Sequence, residues 1–139
     1  MKFKIYSHLH RVTYGDCTQG NHVYYGRYPY LLEEARGEFF RYLGTTFHDY
    51  HKKGYLFPVS EVQLKYFAPA KYDDELTIEC FITILKGARL GFGYRIKKGS
   101  VNILEGETLH GCTDSKNKVK RLPNQLKDRL NSFINDKSS

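Results

Sequence analysis

The 139-residue sequence predicts an α+β fold: a curved antiparallel sheet of about five strands wrapped around one long helix, with a short second helix at the C-terminus. Three observations lead there. One long stretch, residues 28–43, repeats apolar side chains at the spacing of a single helical face, namely Tyr28, Leu31, Leu32, Ala35, Phe39 and Leu43. Later runs alternate with the period of a strand, most cleanly Leu76, Ile78, Cys80, Ile82 and Ile84 against Thr77, Glu79 and Thr83. The connections between those runs are mainly short, which makes consecutive strands antiparallel. A lone helix among strands must bury its apolar face against their sheet.

In order, Phe3 to Tyr14 reads as the first strand. Phe3, Ile5 and Leu9 point one way and Val12 and Tyr14 hold the other phase, a switch that implies a bulge or a strand covered on both faces. A polar loop runs from Asp16 to Arg27. The helix opens on Tyr28-Pro29, where proline suits the first turn because its missing N–H would have no intrahelical partner. Glu33 and Glu34 follow close behind, where negative charge meets the positive end of the helix dipole. Gly44 is a natural stop, and sixteen residues give a rod of roughly 24 Å. Gly37 inside the helix costs roughly 1 kcal/mol relative to alanine.

Thr45 to Gly54 is polar and aromatic, a short helix or a loop. After Pro58, Val62, Leu64 and Tyr66 alternate with Glu61, Gln63 and Lys65 as a strand. Phe67 to Asp74 reads as a turn, and Lys86-Gly87-Ala88 as a hairpin connection. Leu90, Phe92, Tyr94 and Ile96 make a further strand, closed by Lys97-Lys98-Gly99-Ser100. Val101 to Thr113 is the last strand, and Asp114 to Arg121 a basic, exposed connection. Leu126, Leu130, Phe133 and Ile134 mark the amphipathic C-terminal helix.

This length suits one domain, 1–139, with a single core. No apolar run reaches the 18 or so residues that span a bilayer, and Met1 to His8 lacks a signal-peptide core. The three cysteines are an odd count, far apart and without metal-type pairing, so they read as reduced thiols of a cytoplasmic protein with no metal. The formal charge of +7 favours an anionic partner: a nucleic acid, an acidic surface or a phosphate-bearing small molecule. Charge alone also serves solubility. Without a basic-aromatic motif, no nucleic acid is expected. The exposed edges of the sheet call for pairing between copies of the chain.

Several pieces of sequence, at consistent spacing across nearly the whole chain, resemble the 4-hydroxybenzoyl-CoA thioesterase branch of the hotdog family and the small cytoplasmic acyl-CoA thioesterases related to it. They are Tyr14-Gly15-Asp16-Cys17, Val23-Tyr24-Tyr25, Tyr28, Glu33 and Ala35-Arg36 in the loop and helix. Tyr66-Phe67-Ala68-Pro69-Ala70, Tyr72 through Leu76, Phe92 and Leu122-Pro123 continue the pattern. The resemblance implies a hotdog fold and hydrolysis of an acyl-CoA thioester to free acid and coenzyme A, without a cofactor, at the interface of a homodimer or homotetramer. A thioesterase acting on an acyl carrier protein and a non-catalytic acyl-thioester-binding protein are the alternatives on the same fold.

The site expected from it sits at the start of the helix, where backbone amides without intrahelical partners face the positive dipole end. The resemblance places the Tyr25 or Gly26 amide there as oxyanion donor. The family pattern is Asp-x-Asp; Asp16 fills its first position, but Thr18 stands at the second, where the catalytic carboxylate is expected. Thr18 cannot act as a carboxylate, and its hydroxyl is a weak nucleophile without an adjacent base. A second branch of hotdog thioesterases draws its Glu from the helix, eight residues after the oxyanion-hole position, which here is Glu33. A third, acting on carrier-bound polyketides, relies on a helix Arg, which Arg36 matches. His22 stands where the family often has Gly-His-Val, with Asn21 replacing the Gly, and would orient substrate or act as a base. Lys86 and Arg89 match the region where relatives hold coenzyme A phosphates. Each of these also has an ordinary structural reading: Asp16 as a turn-former, Glu33 as a first-turn acid, Arg36 as a salt-bridging helix residue, His22 as a packed or surface imidazole.

Overall fold

A computed structural model of the chain describes residues 3–136; the extreme ends of the expected domain lie outside the described residues. Strand β1 (Tyr6–Arg11) leads through a loop to the long helix α1 (Tyr28–Tyr42), then to a short helix α2 (Phe47–Lys52). Strands β2 (Val59–Tyr66), β3 (Glu75–Lys86), β4 (Arg89–Lys98) and β5 (Val101–His110) follow, and α3 (Asn124–Asn135) closes the chain. The five strands form one antiparallel sheet in the order β1-β3-β4-β5-β2. No helix among the described residues is long and apolar enough to cross a membrane.

Helix α1 forms where the periodicity places it. Leu31, Leu32, Ala35, Phe39 and Phe40 are wholly buried against the sheet, and burying each large one is worth about 1.5–3 kcal/mol. Pro29 lies in the first turn, Leu43 caps the end, and Gly44 takes φ +87, which a side chain would strain. Their partners alternate along the strands: Leu76, Ile78, Cys80 and Ile82 on β3, Leu90, Phe92, Tyr94 and Ile96 on β4, Leu104, Thr108 and His110 on β5. The β3–β4 and β4–β5 turns are alike: two residues each, with Gly87 (φ +61) or Gly99 (φ +58) at the first position.

Three expectations need correction. The first strand is shorter than 3–14, and its inward face is Tyr6, His8 and His10, while Leu9 is 59% exposed. The histidines turn inward because carboxylates of α1 and the loop meet their ring nitrogens there. Residues 67–74 are no hairpin turn: β2 pairs with β5 at one edge of the sheet and β3 with β1 at the other, so this segment crosses the sheet. It is held on the way by Val23 N–H to Ala70 O (2.9 Å) and by Asp73 N–H to Val12 O (3.0 Å). The last strand stops at His110 rather than Thr113, because Gly111 N–H turns to Pro58 O (2.9 Å).

Candidate active site

The loop before α1 is folded by its own short-range bonds. Asp16 ends a 3₁₀ turn, Tyr14–Asp16, and its carboxylate accepts from Thr13 N–H (2.9 Å). Cys17 and Val23 form an isolated antiparallel bridge, and between them Thr18 N–H bonds His22 O (2.8 Å). Asn21 stands at φ 64, a left-handed backbone that Asn tolerates better than most residues. Tyr24 N–H then returns to Asp16 O (2.9 Å), and a second 3₁₀ turn, Tyr25–Arg27, runs straight into α1.

This loop and the start of the crossing segment enclose a groove of about 640 Å³. Thr18, His22, Val23, Tyr24, Tyr25 and Tyr28 form one wall, and Tyr66 through Pro69 the other. The Tyr66 hydroxyl donates to Tyr25 O (3.1 Å), tying the walls together. Burial holds the Tyr28 and Tyr66 hydroxyls above the ordinary phenol value, so both are neutral donors. The Tyr25 and Gly26 amides open the 3₁₀ turn and have no intrahelical acceptor. A Cβ at Gly26 would lie 2.6 Å from the Tyr24 ring, so a side chain there would have to move that exposed tyrosine. A hollow of similar volume lies between the end of α1 and α3, but the guanidinium in it, Arg129, is spent on capping Leu43 O (2.6 Å).

The structure thus brings Thr18, His22, Tyr25 and the Gly26 turn together and separates the other candidates. Asp16 lies behind the groove, 1% exposed. It accepts from His10 Nε2 (2.8 Å) and Arg27 Nε (2.7 Å) as well as from Thr13. Burial pushes its carboxyl up, but these three donors outweigh it and hold it at about 2. Glu33 is exposed on α1, outside the groove, and its side chain has no hydrogen bond or ion pair among the described residues. Lys86 and Arg89 face each other at the base of the β3–β4 hairpin, both exposed and both outside the groove.

Arg36 enters the core instead of a surface salt bridge. It is 9% exposed, donates to the Tyr94 hydroxyl (2.9 Å), and lies 6.0 Å from the centre of the Phe92 ring. The Tyr94 and Thr108 hydroxyls share a hydrogen bond (2.6 Å), and Thr108 Oγ1 meets His110 Nε2 (2.9 Å). Burial first, then the Arg36 charge, push His110 down to about 4, so the ring is neutral. Sequence reasoning passed over His10, Arg27 and the structural use of Tyr66. The signal for His10 was available: two histidines spaced by two on one strand share a face.

A single antiparallel sheet around one helix, with a groove at the helix entry, defines a class of protein, and comparison with known proteins gives the family. The chain belongs to the thioesterase-like superfamily, whose family model matches residues 12–130. It is 34% identical over 118 residues to the acyl-CoA thioester hydrolase YbgC of Escherichia coli, covering 84% of this chain and 88% of that protein. It superposes on a probable thioesterase from Bartonella henselae with a TM-score of 0.80 at 27% identity, covering 86% and 99% of the two chains. A 1,4-dihydroxy-2-naphthoyl-CoA thioesterase from Synechocystis, at 20% identity, shares the fold with a TM-score of 0.84 over 96% and 97% of the chains. The architecture is the hotdog fold.

Proposed function

We propose that this chain hydrolyses an acyl-CoA thioester to a free acid and coenzyme A, with the whole chain, 1–139, acting as one domain. The observation that carries this is the groove at the α1 entry, lined by Thr18, His22 and Tyr25 where the 3₁₀ turn Tyr25–Arg27 begins. In this reading the Tyr25 or Gly26 amide, without an intrahelical acceptor at the start of the turn, stabilises the developing oxyanion of a bound thioester. The relation to acyl-CoA thioester hydrolases supports the reaction class.

The carboxylate is supplied by Glu33, acting as base or nucleophile in a site completed by a second copy of the chain. Thr18 and His22 position substrate or water, Asp16 shapes the loop, and Arg36 presents its cation from beneath the helix. Lys86 and Arg89 take the coenzyme A phosphates. The exposed apolar edge supports a homodimer, or a dimer of dimers: Val59, Val62, Tyr66 and Phe67 are each 45–49% exposed on or just beyond β2. The free thiols Cys17, Cys80 and Cys112 support a cytoplasmic setting. An acyl carrier protein in place of coenzyme A is the second reading, since neither basic residue lines the groove of a single chain.

The test is thiol release from a panel of acyl-CoA and acyl-carrier-protein substrates, with sedimentation at micromolar concentration alongside. Turnover by a species of at least dimer size is expected. A protein that binds acyl-CoA and releases no thiol, but gains turnover as Thr18→Asp, is a binding protein on an enzyme's fold. A fully active monomer overturns the shared site.

A further inference from the structure

Behind the groove, five charged or titratable side chains from four elements form one continuous chain of hydrogen bonds. His8 Nε2 lies 2.7 Å from Glu34 Oε2, and the same oxygen lies 2.9 Å from His10 Nδ1. The other nitrogen of that ring, His10 Nε2, lies 2.8 Å from Asp16 Oδ2, and Asp16 Oδ1 accepts from Arg27 Nε at 2.7 Å. His10 is 10% exposed at its side chain and Asp16 wholly covered. The strand on the other side of β1 offers no charge here, since the register partners of His8 and His10 are Ile78 and Leu76.

His10 is therefore bracketed by two carboxylates, one at each ring nitrogen. An ionised carboxylate only accepts, and a neutral imidazole carries a single N–H, so a neutral ring would turn a lone pair on one of them. The imidazolium alone satisfies both. Both carboxylates favour ionisation: Asp16 is held at about 2, and for Glu34 the bonds from His8 and His10 outweigh its partial burial. The bracket also has a mechanical role. Asp16 fastens Thr13 N–H, Arg27 and, through its carbonyl, Tyr24 N–H, which are the two ends of the loop carrying Thr18 and His22. Glu34 belongs to α1.

We propose that His10 is a positioning residue whose two ring nitrogens clasp Asp16 to Glu34, fixing the groove loop against α1, so that loss of either contact loosens the groove. The proton supplies one of the two bonds joining loop to helix through His10, and a neutral ring must release one carboxylate. His8 reinforces the Glu34 end and Arg27 the Asp16 end, but neither bridges the two. The kinetic consequence rests on the thioesterase reading above; the protonation state does not.

The test begins with ring-nitrogen NMR of ¹⁵N-histidine-labelled full-length protein, in which both His10 nitrogens should carry protons. Glu34 is 41% exposed, so E34Q should fold; there one end of the clasp is cut, and the amide signals of Thr18, His22 and Tyr24 should move. In the kinetic arm, E34Q and H10Q should each raise KM for acyl-CoA more than they lower kcat. A single neutral tautomer of His10, or loop amide signals that stay in place in E34Q, overturns the clasp. An active enzyme whose KM is unchanged in both variants also overturns it. Doubly protonated His10 and moved amide signals with no hydrolysis of any thioester uphold the clasp and overturn the thioesterase reading instead.

Discussion

Replacing Asp16 by Asn keeps the size of the side chain and removes its charge, and the structure sets the expected cost. The carboxylate is buried and accepts from Thr13 N–H, His10 and Arg27 at 2.7–2.9 Å. Its lowering from 3.8 to about 2 corresponds to roughly 2.5 kcal/mol of stability at neutral pH. The amide NH₂ would also turn a donor toward a donor, leaving a cation imperfectly paired, so a total loss of about 2–4 kcal/mol is expected. For a domain of this size that lowers Tm by about 5–15 °C. The sign with pH follows from the direction of the shift. A depressed carboxylate stabilises the fold above its unfolded value of 3.8, and that stabilisation is lost as pH falls through 3.8 toward 2. Urea unfolding of wild type and Asp16→Asn at pH 7 and at steps down to pH 3 measures both. The gap should be widest at pH 7 and should narrow below pH 4. A gap under about 0.5 kcal/mol at pH 7, or one that does not change with pH, would refute the idea that this carboxylate holds the loop.

Glu33→Gln should lower kcat by at least about 10²–10⁴-fold while coenzyme A binding survives, and Thr18→Ala should cost much less; a silent Glu33→Gln in an active enzyme excludes Glu33 as the base. Changing Lys86 and Arg89 together to Ala should raise KM for acyl-CoA with kcat nearly unchanged, and should matter little for acyl-pantetheine; equal effects on both substrates would contradict phosphate binding. His110, held neutral at about 4 against an ordinary 6.5, protonates first in the unfolded chain. Stability should therefore be complete above pH 6.5 and fall by up to about 3 kcal/mol as pH drops toward 4, a slope that His110→Gln should abolish in denaturation curves.

Local spacing along the chain was enough for the parts of the fold whose causes are local. Helical periodicity marked α1 to within a residue of its end at Tyr42, because one buried stripe decides a helix's facing. Alternation marked β3 and β4, and Gly87 and Gly99 marked their turns, because glycine takes a left-handed backbone at the least cost. The loop half of the groove was legible for the same reason: Thr18, His22 and Tyr25 lie within about ten residues of the helix entry at Tyr28.

What the tertiary structure decided involves partners distant in sequence. The opposite wall, Tyr66 to Pro69, reaches the groove because β2 pairs with β5 and residues 67–74 then cross the sheet, and no local spacing encodes which edge a strand joins. The facing of β1 went against its apolar residues: Leu9 faces out and His8 and His10 face in, because Glu34 and Asp16 wait there. Arg36 read as a salt-bridging helix residue, and only the neighbouring Tyr94 hydroxyl and Phe92 ring take it inside. A buried polar group is tolerated only where its hydrogen-bond partners have already been brought by the rest of the fold. The charge network behind the groove therefore became visible only once strand, loop and helix were in place.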